Sequence, residues 1–364
     1  MEPKVYVVLT QYNQSHHAIE CIESLLKNNY KNYQVILVDN ASTDNSLEEV
    51  KNYLSGKVPF QANVPSSIKS CVYPIASKPL SYSIFNYNKA ATQKFSLQEY
   101  IGASTPEDCF CTIIKNNHNG YFVEGNNIGM AMALQRNDAG FIWLLNNDTV
   151  IANDAVTALV NYYRSNLNKK IGIIGSKLLF YDTPEMIQAV AGNFNKYKGW
   201  PKQMGTFEID KGQYNTMPPK VDYVIGAALF FNKQFITDVG TLNEDYVLYT
   251  EELDWCTRGA LQGYETHTCL ASKVYHKQGA TSGSKVKNLR KPTMTTYYRY
   301  RNLLLYYKKY YPHYILFMWW RLFMQSTRKM GQGSSTEFKV FMYLKLHPPT
   351  WHHLVRFEDT GLKN

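Results

Sequence analysis

The chain predicts an α/β fold with a mostly parallel central sheet flanked by helices. Three observations predict it. Apolar runs of strand length are continuous and end in short polar side chains, as in Phe141–Leu145 before Asn146-Asn147-Asp148. Stretches with helical apolar spacing lie between these runs. Carboxylates stand where strands end, at the rim where open α/β folds bind ligands.

The elements follow in order. Val5–Thr10 reads as the first strand, ending at Gln11-Tyr12-Asn13. His16–Asn28 carries Ala18, Ile19, Ile22, Leu25 and Leu26 at helical spacing. Tyr33–Val38 is the second strand and delivers Asp39 to the sheet edge; Asp44 or Asn45 can cap a helix that runs to about Ser55. From about Val58 to Cys109 the periodicity fails, and the segment reads as an insertion at the sheet edge. Cys111–Lys115 is the third strand, Asn116–Phe122 a loop, and Glu124–Gly129 leads into a helix over Met130–Gln135. After the Phe141 strand come a helix from Asn153 or Asp154 to about Leu167 and a strand at Ile171–Gly175. A polar connection covers Tyr181–Pro219, and Val221–Phe231 is an apolar strand in which Gly226-Ala227-Ala228 allows close backbone approach. Glu251 and Glu252 open a helix whose first turn is acidic, as the macrodipole favours, and Thr268–Tyr275 is the last strand, ending at His276.

Composition narrows the function. With 364 residues, 45% of them apolar, the chain can build one large domain with an appendage, or two domains. No apolar run is long enough to span a bilayer, and Met1-Glu2-Pro3-Lys4 lacks the basic start of a secretory signal, so a cytoplasmic location is expected. Cys21, Cys71, Cys109, Cys111, Cys256 and Cys269 have neither the density of a disulfide scaffold nor paired zinc spacing. The absence of a GxGxxG or Walker lysine loop argues against a dehydrogenase or a P-loop ATPase. The net charge of +10 is uneven: from Lys285 onward fifteen Lys/Arg face three Asp/Glu, so this segment carries +12 and the rest −2. Such a basic segment calls for an anionic partner, a membrane surface or nucleic acid.

Laid end to end, the motifs VVLTQYN, VILVDNASTDNS, EGNNIGMA, LLNNDT, VDYVIGAALFF, YVLYTEELDWCTRGALQGYE and KVYHKQG resemble the family 2 glycosyltransferases. This is an inverting family with the GT-A fold, and the likeness is to its bacterial rhamnosyltransferase-like branch. The resemblance spans residues 5 to about 283 and rests on the order and spacing of the motifs. It implies a GT-A catalytic domain over 1–286, with the 58–109 insertion, and a C-terminal helical segment over 287–364. It further implies that Asp39, with Thr10, Tyr12 and Asn13, holds the nucleotide, and that Asn126 and Asn146 line the same donor site. Asp148 matches the last acid of the family's metal-binding element and His276 a histidine that completes it, so Mg2+ or Mn2+ is the implied cofactor. Glu252 aligns with the catalytic base, with Glu251 its nearest competitor and Asp254 a weaker one.

Three positions depart from the family pattern. Asn147 precedes Asp148 where relatives usually carry Pro or an acid, Glu252 stands where Asp is usual, and Tyr121 replaces a common glycine. The implied partners are a UDP- or dTDP-sugar donor and a surface-glycan acceptor on a polyprenyl carrier. A reading of another class stands beside this one: a nucleotide-sugar- or nucleic-acid-binding protein without catalysis, suggested by Asn147, Tyr121 and the basic segment.

Thr296–Lys309 reads as a basic, aromatic helix broken by Pro312, and Tyr314–Met324 follows. Its eleven residues include Arg321 and cannot span a bilayer. They suit a helix in the membrane interface, packing on the catalytic domain, or a homo-oligomer contact. Arg301, in a Tyr-x-x-Arg-Asn element that relatives share, is expected to reach a diphosphate.

Overall fold

A computed structural model describes residues 2–91, 94–215, 220–277, 293–351 and 354–363. The expected domain boundary at 286/287 and the end of the KVYHKQG motif lie outside these residues. The first half begins with β1 (Lys4–Gln11), α1 (Ser15–Leu26), β2 (Tyr33–Asp39) and α2 (Ser46–Leu54). It continues through β3 (Tyr82–Asn88), β4 (Lys94–Ile101), β5 (Cys111–Lys115), α3 (Tyr121–Leu134), β6 (Ala139–Asn146), β7 (Thr149–Ile151) and α4 (Ala155–Arg164). Then come β8 (Ile171–Phe180), β9 (Ile187–Ala189), β10 (Ala191–Phe194), β11 (Pro201–Met204) and β12 (Ala228–Asn232). The chain closes with α5 (Lys233–Val239), α6 (Glu251–Leu261), β13 (Glu265–His276), α7 (Thr293–Tyr310), α8 (Ile315–Gly331) and α9 (Thr336–Leu346).

The main sheet runs β4-β3-β5-β2-β1-β6-β12-β8-β13-β7, with β9 paired to β8. β5, β2, β1 and β6 are parallel neighbours, whereas β12 runs antiparallel between β6 and β8. Alternate residues of β1 enter different cores. Val5, Val7 and Leu9 pack with α1, α2 and α4, while Tyr6 and Val8 pack with residues of α3 and α5 to α7. Covering both faces is why the strand runs are continuously apolar, each buried Val or Leu contributing about 1.5–3 kcal/mol. α7 joins the same core: Tyr297, Tyr298, Leu303, Leu304, Tyr306 and Tyr307 cluster with Val8 and Trp255.

Four expectations are corrected. The helix expected from Met130 begins at Tyr121, so Gly125 and Gly129 are helical. Glycine opposes a helix by about 1 kcal/mol, but a Cβ on Gly129 would stand 2.3 Å from Val8 Cγ1, and one on Gly125 2.5 Å from Thr10 Cγ2. These glycines let α3 lie on the sheet, a tertiary gain that overrides propensity. The 58–109 segment does extend the sheet edge, yet it contains strands: β3 is parallel to β5 and folds back on β4. The polar connection over 181–219 holds β9, β10 and β11. Val221–Ala227 is largely apolar without being a strand: Tyr223 lies on Gly192, with which it forms a single bridge, and Val224 on Gly175, and the strand itself is only Ala228–Asn232.

Candidate active site at the carboxyl edge of the sheet

Register brings the strand ends together. Gln11 lies opposite Asp39, and Thr10 opposite Asn146. Across the sheet, His276 at the end of β13 lies opposite Thr149 of β7, which places it beside the Asn147-Asp148 turn.

The loops after β1 and β2 are stitched by short polar side chains. The Asn13 amide donates to Ser42 Oγ at 2.8 Å, the Thr43 amide to Asn13 Oδ1 at 2.8 Å, and the Gln14 amide to Asp44 Oδ2 at 3.1 Å. Asn13, Gln14 and Ala41 all adopt positive φ, a conformation that Asn tolerates and Ala does not favour. Of the two capping candidates Asn45 is the N-cap of α2, without a side-chain cap bond, while Asp44 before it accepts from the Ser46 amide at 2.9 Å. Asp39 is buried; Ser42 Oγ donates to its Oδ1 at 2.5 Å and the Ser42 amide to its Oδ2 at 3.2 Å. Burial raises its pKa, and these two bonds oppose the rise. Thr10 Oγ1 is buried with no hydrogen-bond partner, and Tyr12 is exposed. Asn126 is turned back on its own helix, donating to the Phe122 carbonyl at 2.8 Å.

Asp148 and His276 meet. Asp148 is buried, and its Oδ1 lies 3.1 Å from His276 Nε2; Asn146 Nδ2 is 3.4 Å from the same nitrogen. Gln188 Oε1 lies 2.9 Å from His276 Nδ1 and orients the ring so that Nε2 faces the carboxylate. Such a facing pair needs a proton or a cation between its members. Burial pushes the Asp148 carboxyl up, but His276, His17 and Lys277 together outweigh it and hold the pKa below the usual value. Among the described residues, no group of three His, Cys, Asp or Glu side chains gathers in a metal-binding arrangement.

Glu251 and Glu252 reach the same edge through β12. The Asn146 amide donates to the Ala227 carbonyl at 3.0 Å, and a Cβ on the preceding Gly226 would lie 3.8 Å from Glu251 Oε1. Oε2 of each glutamate is buried without a partner. Burial raises both pKa values; the Glu252 charge raises Glu251 further, whereas Glu251 and Arg299 draw Glu252 back. Both carboxyls are therefore held above the usual range, Glu251 the further of the two. Asp254 is occupied: it accepts from Arg258 Nε at 2.7 Å, Tyr310 OH at 2.7 Å and Lys309 Nζ at 3.1 Å.

Arg301 is buried, with Nη1 donating to the Asp245 carbonyl at 2.6 Å and to Asn302 Oδ1 at 2.8 Å, while Nη2 has no partner. Asn302 does more. Its Nδ2 lies 2.7, 2.8 and 2.8 Å from the carbonyls of Tyr246, Leu248 and Tyr249. Those residues border Val247, Tyr249 and Thr250, all at positive φ immediately before the acid pair. Sequence reasoning passed over Asn302 and Gln188. The first stood in plain view within the Arg-Asn dipeptide; nothing local marked the second.

Comparison with known proteins matches part of the chain. Residues 6–62 match the family model described as Glycosyl transferase family 2. Glycosyltransferase GlyG of Streptococcus pneumoniae is 46% identical over 48 residues, 13% of this chain and 16% of that protein. The low-salt glycan biosynthesis hexosyltransferase Agl10 of Haloferax volcanii is 21% identical over 154 residues, 42% of this chain and 48% of that protein. The chain thus spans less than half the length of these curated relatives. The crystal structure of GalNAc-T7 with UDP, GalNAc and Mn2+ superposes with a TM-score of 0.50 at 12% identity, covering 75% of this chain and 44% of that one, a likeness of fold.

Proposed function

We propose that this chain, a member of glycosyl transferase family 2 with the GT-A fold, moves one sugar from a nucleotide-sugar donor to a glycan hydroxyl with inversion. The observation that carries the reading is the meeting of Asp148 with His276 on the sheet edge that also carries Asp39 and, through Gly226, the acid pair. Asp39 accepts a hydroxyl or ring N–H of the nucleoside, with Thr10, Tyr12 and Asn13 beside it. Asp148 and His276 Nε2 fit a divalent cation such as Mg2+ or Mn2+, with donor phosphate oxygens and water supplying the remaining ligands. When bound, that cation would offset the charge developing on the departing diphosphate.

Glu252 takes the proton from the acceptor hydroxyl. The acceptor oxygen bonds to the anomeric carbon as the bond to the diphosphate oxygen breaks on the opposite face, and the nucleoside diphosphate leaves with that electron pair. Glu251, whose pKa burial and the Glu252 charge raise the further, is the member of the pair that gives up its proton less readily. The acceptor class we assign is a surface glycan carried on a lipid diphosphate.

Glu252→Gln tests the base. It should lower kcat by about 10³-fold, within the range for general-base loss, while calorimetry with Mn2+ shows the parent affinity for a UDP- or dTDP-sugar. Turnover equal to the parent's overturns the assignment.

A further inference from the structure

α8 has two faces. Met318, Leu322 and Ser326, four residues apart, are buried, and Trp319 and Phe323 reach Phe341 of α9 with ring centroids 5.9 and 5.6 Å away. At about 100° per residue the other side of the helix carries Leu316, Trp320 and Met324, with Phe323 and Met330 along its margin. All five are exposed, Leu316 at 80% and Trp320 at 54%. α9 repeats the pattern: Val340, Phe341 and Leu344 are buried, while Met342 and Leu346 are exposed near Lys339 and Lys345. Single exposed apolar residues need no account, but a row along one helix does.

The surroundings identify the occupant. Arg328 and Lys329 stand exposed at the end of the stripe, and α8 and α9 together carry five Lys/Arg against one Asp/Glu. No helix among the described residues is long and apolar enough to cross a membrane. A second copy pressed on this face would bring two strongly cationic segments together. Nucleic acid would meet the cations but has no use for Leu316 or Met324. An anionic bilayer satisfies both features: Trp, Phe, Leu and Met enter the headgroup–acyl boundary while Arg and Lys meet lipid phosphates.

We infer that the exposed face of α8, with the end of α9, docks the protein on an anionic phospholipid surface. The inference deepens the lipid-carrier reading above and rests on it for its purpose, but the docking is measurable without any sugar substrate.

The test is sedimentation of the full chain with vesicles of phosphatidylcholine alone or with about 30% phosphatidylglycerol. The parent should bind the anionic vesicles and release them in about 0.5 M salt. Leu316→Glu/Trp320→Glu should lower the bound fraction about tenfold, and Arg328→Glu/Lys329→Glu should remove the preference for anionic lipid; both should keep the parent's melting temperature. Equal binding by the parent and the Leu316/Trp320 variant overturns the proposal. So does a parent that is dimeric by light scattering while that variant is monomeric, because a second copy would then cover the stripe. Donor hydrolysis is scored separately, so a vesicle failure with intact hydrolysis sinks the docking alone, and the converse sinks only the catalytic reading.

Discussion

The loop after β2 and the loop before α6 both bring carboxylates to one sheet edge, and both do so through residues at positive φ, yet they are held in different ways. The first is held by its neighbours: Ser42 supports Asp39 from three positions away, and Asn13 and Gln14 bind Ser42 to Asp44 across the adjacent strand. The second is held from a distance, by Asn302 of α7, more than fifty residues further along. Left-handed L-residues cost of order 1 kcal/mol each, so Val247, Tyr249 and Thr250 need that outside support. The loop carrying Asp39 is locally self-sufficient, and the loop before Glu251 takes its shape from the C-terminal helices.

The largest effect should come from cutting that loan. Asn302→Ala removes the shared donor of three carbonyls and should cost about 2–3 kcal/mol of stability by denaturant titration. It should also lower kcat about tenfold while the donor KM holds, because the base and not the nucleotide loop is displaced. A folded Asn302→Ala protein with the parent kcat would erase the distinction between the two loops.

Ser42→Ala probes the local side and should cost about 1–2 kcal/mol, because Ser42 Oγ both donates to Asp39 and accepts from the Asn13 amide. Losing a donor to the carboxylate raises the Asp39 pKa further, so the donor KM should worsen more at pH 6 than at pH 8 while kcat is unchanged. An equal KM penalty at both pH values would count against Asp39 acting as an ionised nucleotide ligand.

The smallest effect concerns the acid pair. A carboxyl whose folded pKa is raised contributes stability below its unfolded pKa and loses it as pH climbs through the folded value. Glu251, raised by burial and by the Glu252 charge, should therefore weaken the fold toward alkaline pH. Glu251→Gln keeps an amide donor and removes that titration, so above pH 8 its melting temperature should exceed the parent's by about 2 °C. A parallel pair of melting curves across the pH range would show that Glu251 does not hold the extra proton.

Much of this was legible in the chain. The β1-α1-β2-α2 order, Asp39 and Asp148 at strand ends, the acidic start of α6 and the end of β13 at His276 all follow from local pattern, because strand runs buried on both faces and turn-forming side chains leave a signature within a few residues. The start of α3 did not, since the two glycines that count against a helix locally are the ones that let it approach Val8 and Thr10. Nor did the irregular path of Val221–Ala227, whose apolar character reflects burial beneath packed glycines and not a ladder of hydrogen bonds.

The amino-acid order by itself determined the alternation of strands and helices, the sheet edge that would hold the chemistry, and most of the carboxylates placed there. Only the tertiary structure decided which partner each received: Gln188 orienting His276, Asn302 holding the loop before Glu251, four side chains consuming Asp254, and α8 left with an apolar face in water. The physical reason is range. Propensity, capping and strand burial act over a few residues, whereas these contacts join segments that become neighbours only when the sheet has brought them to a common edge.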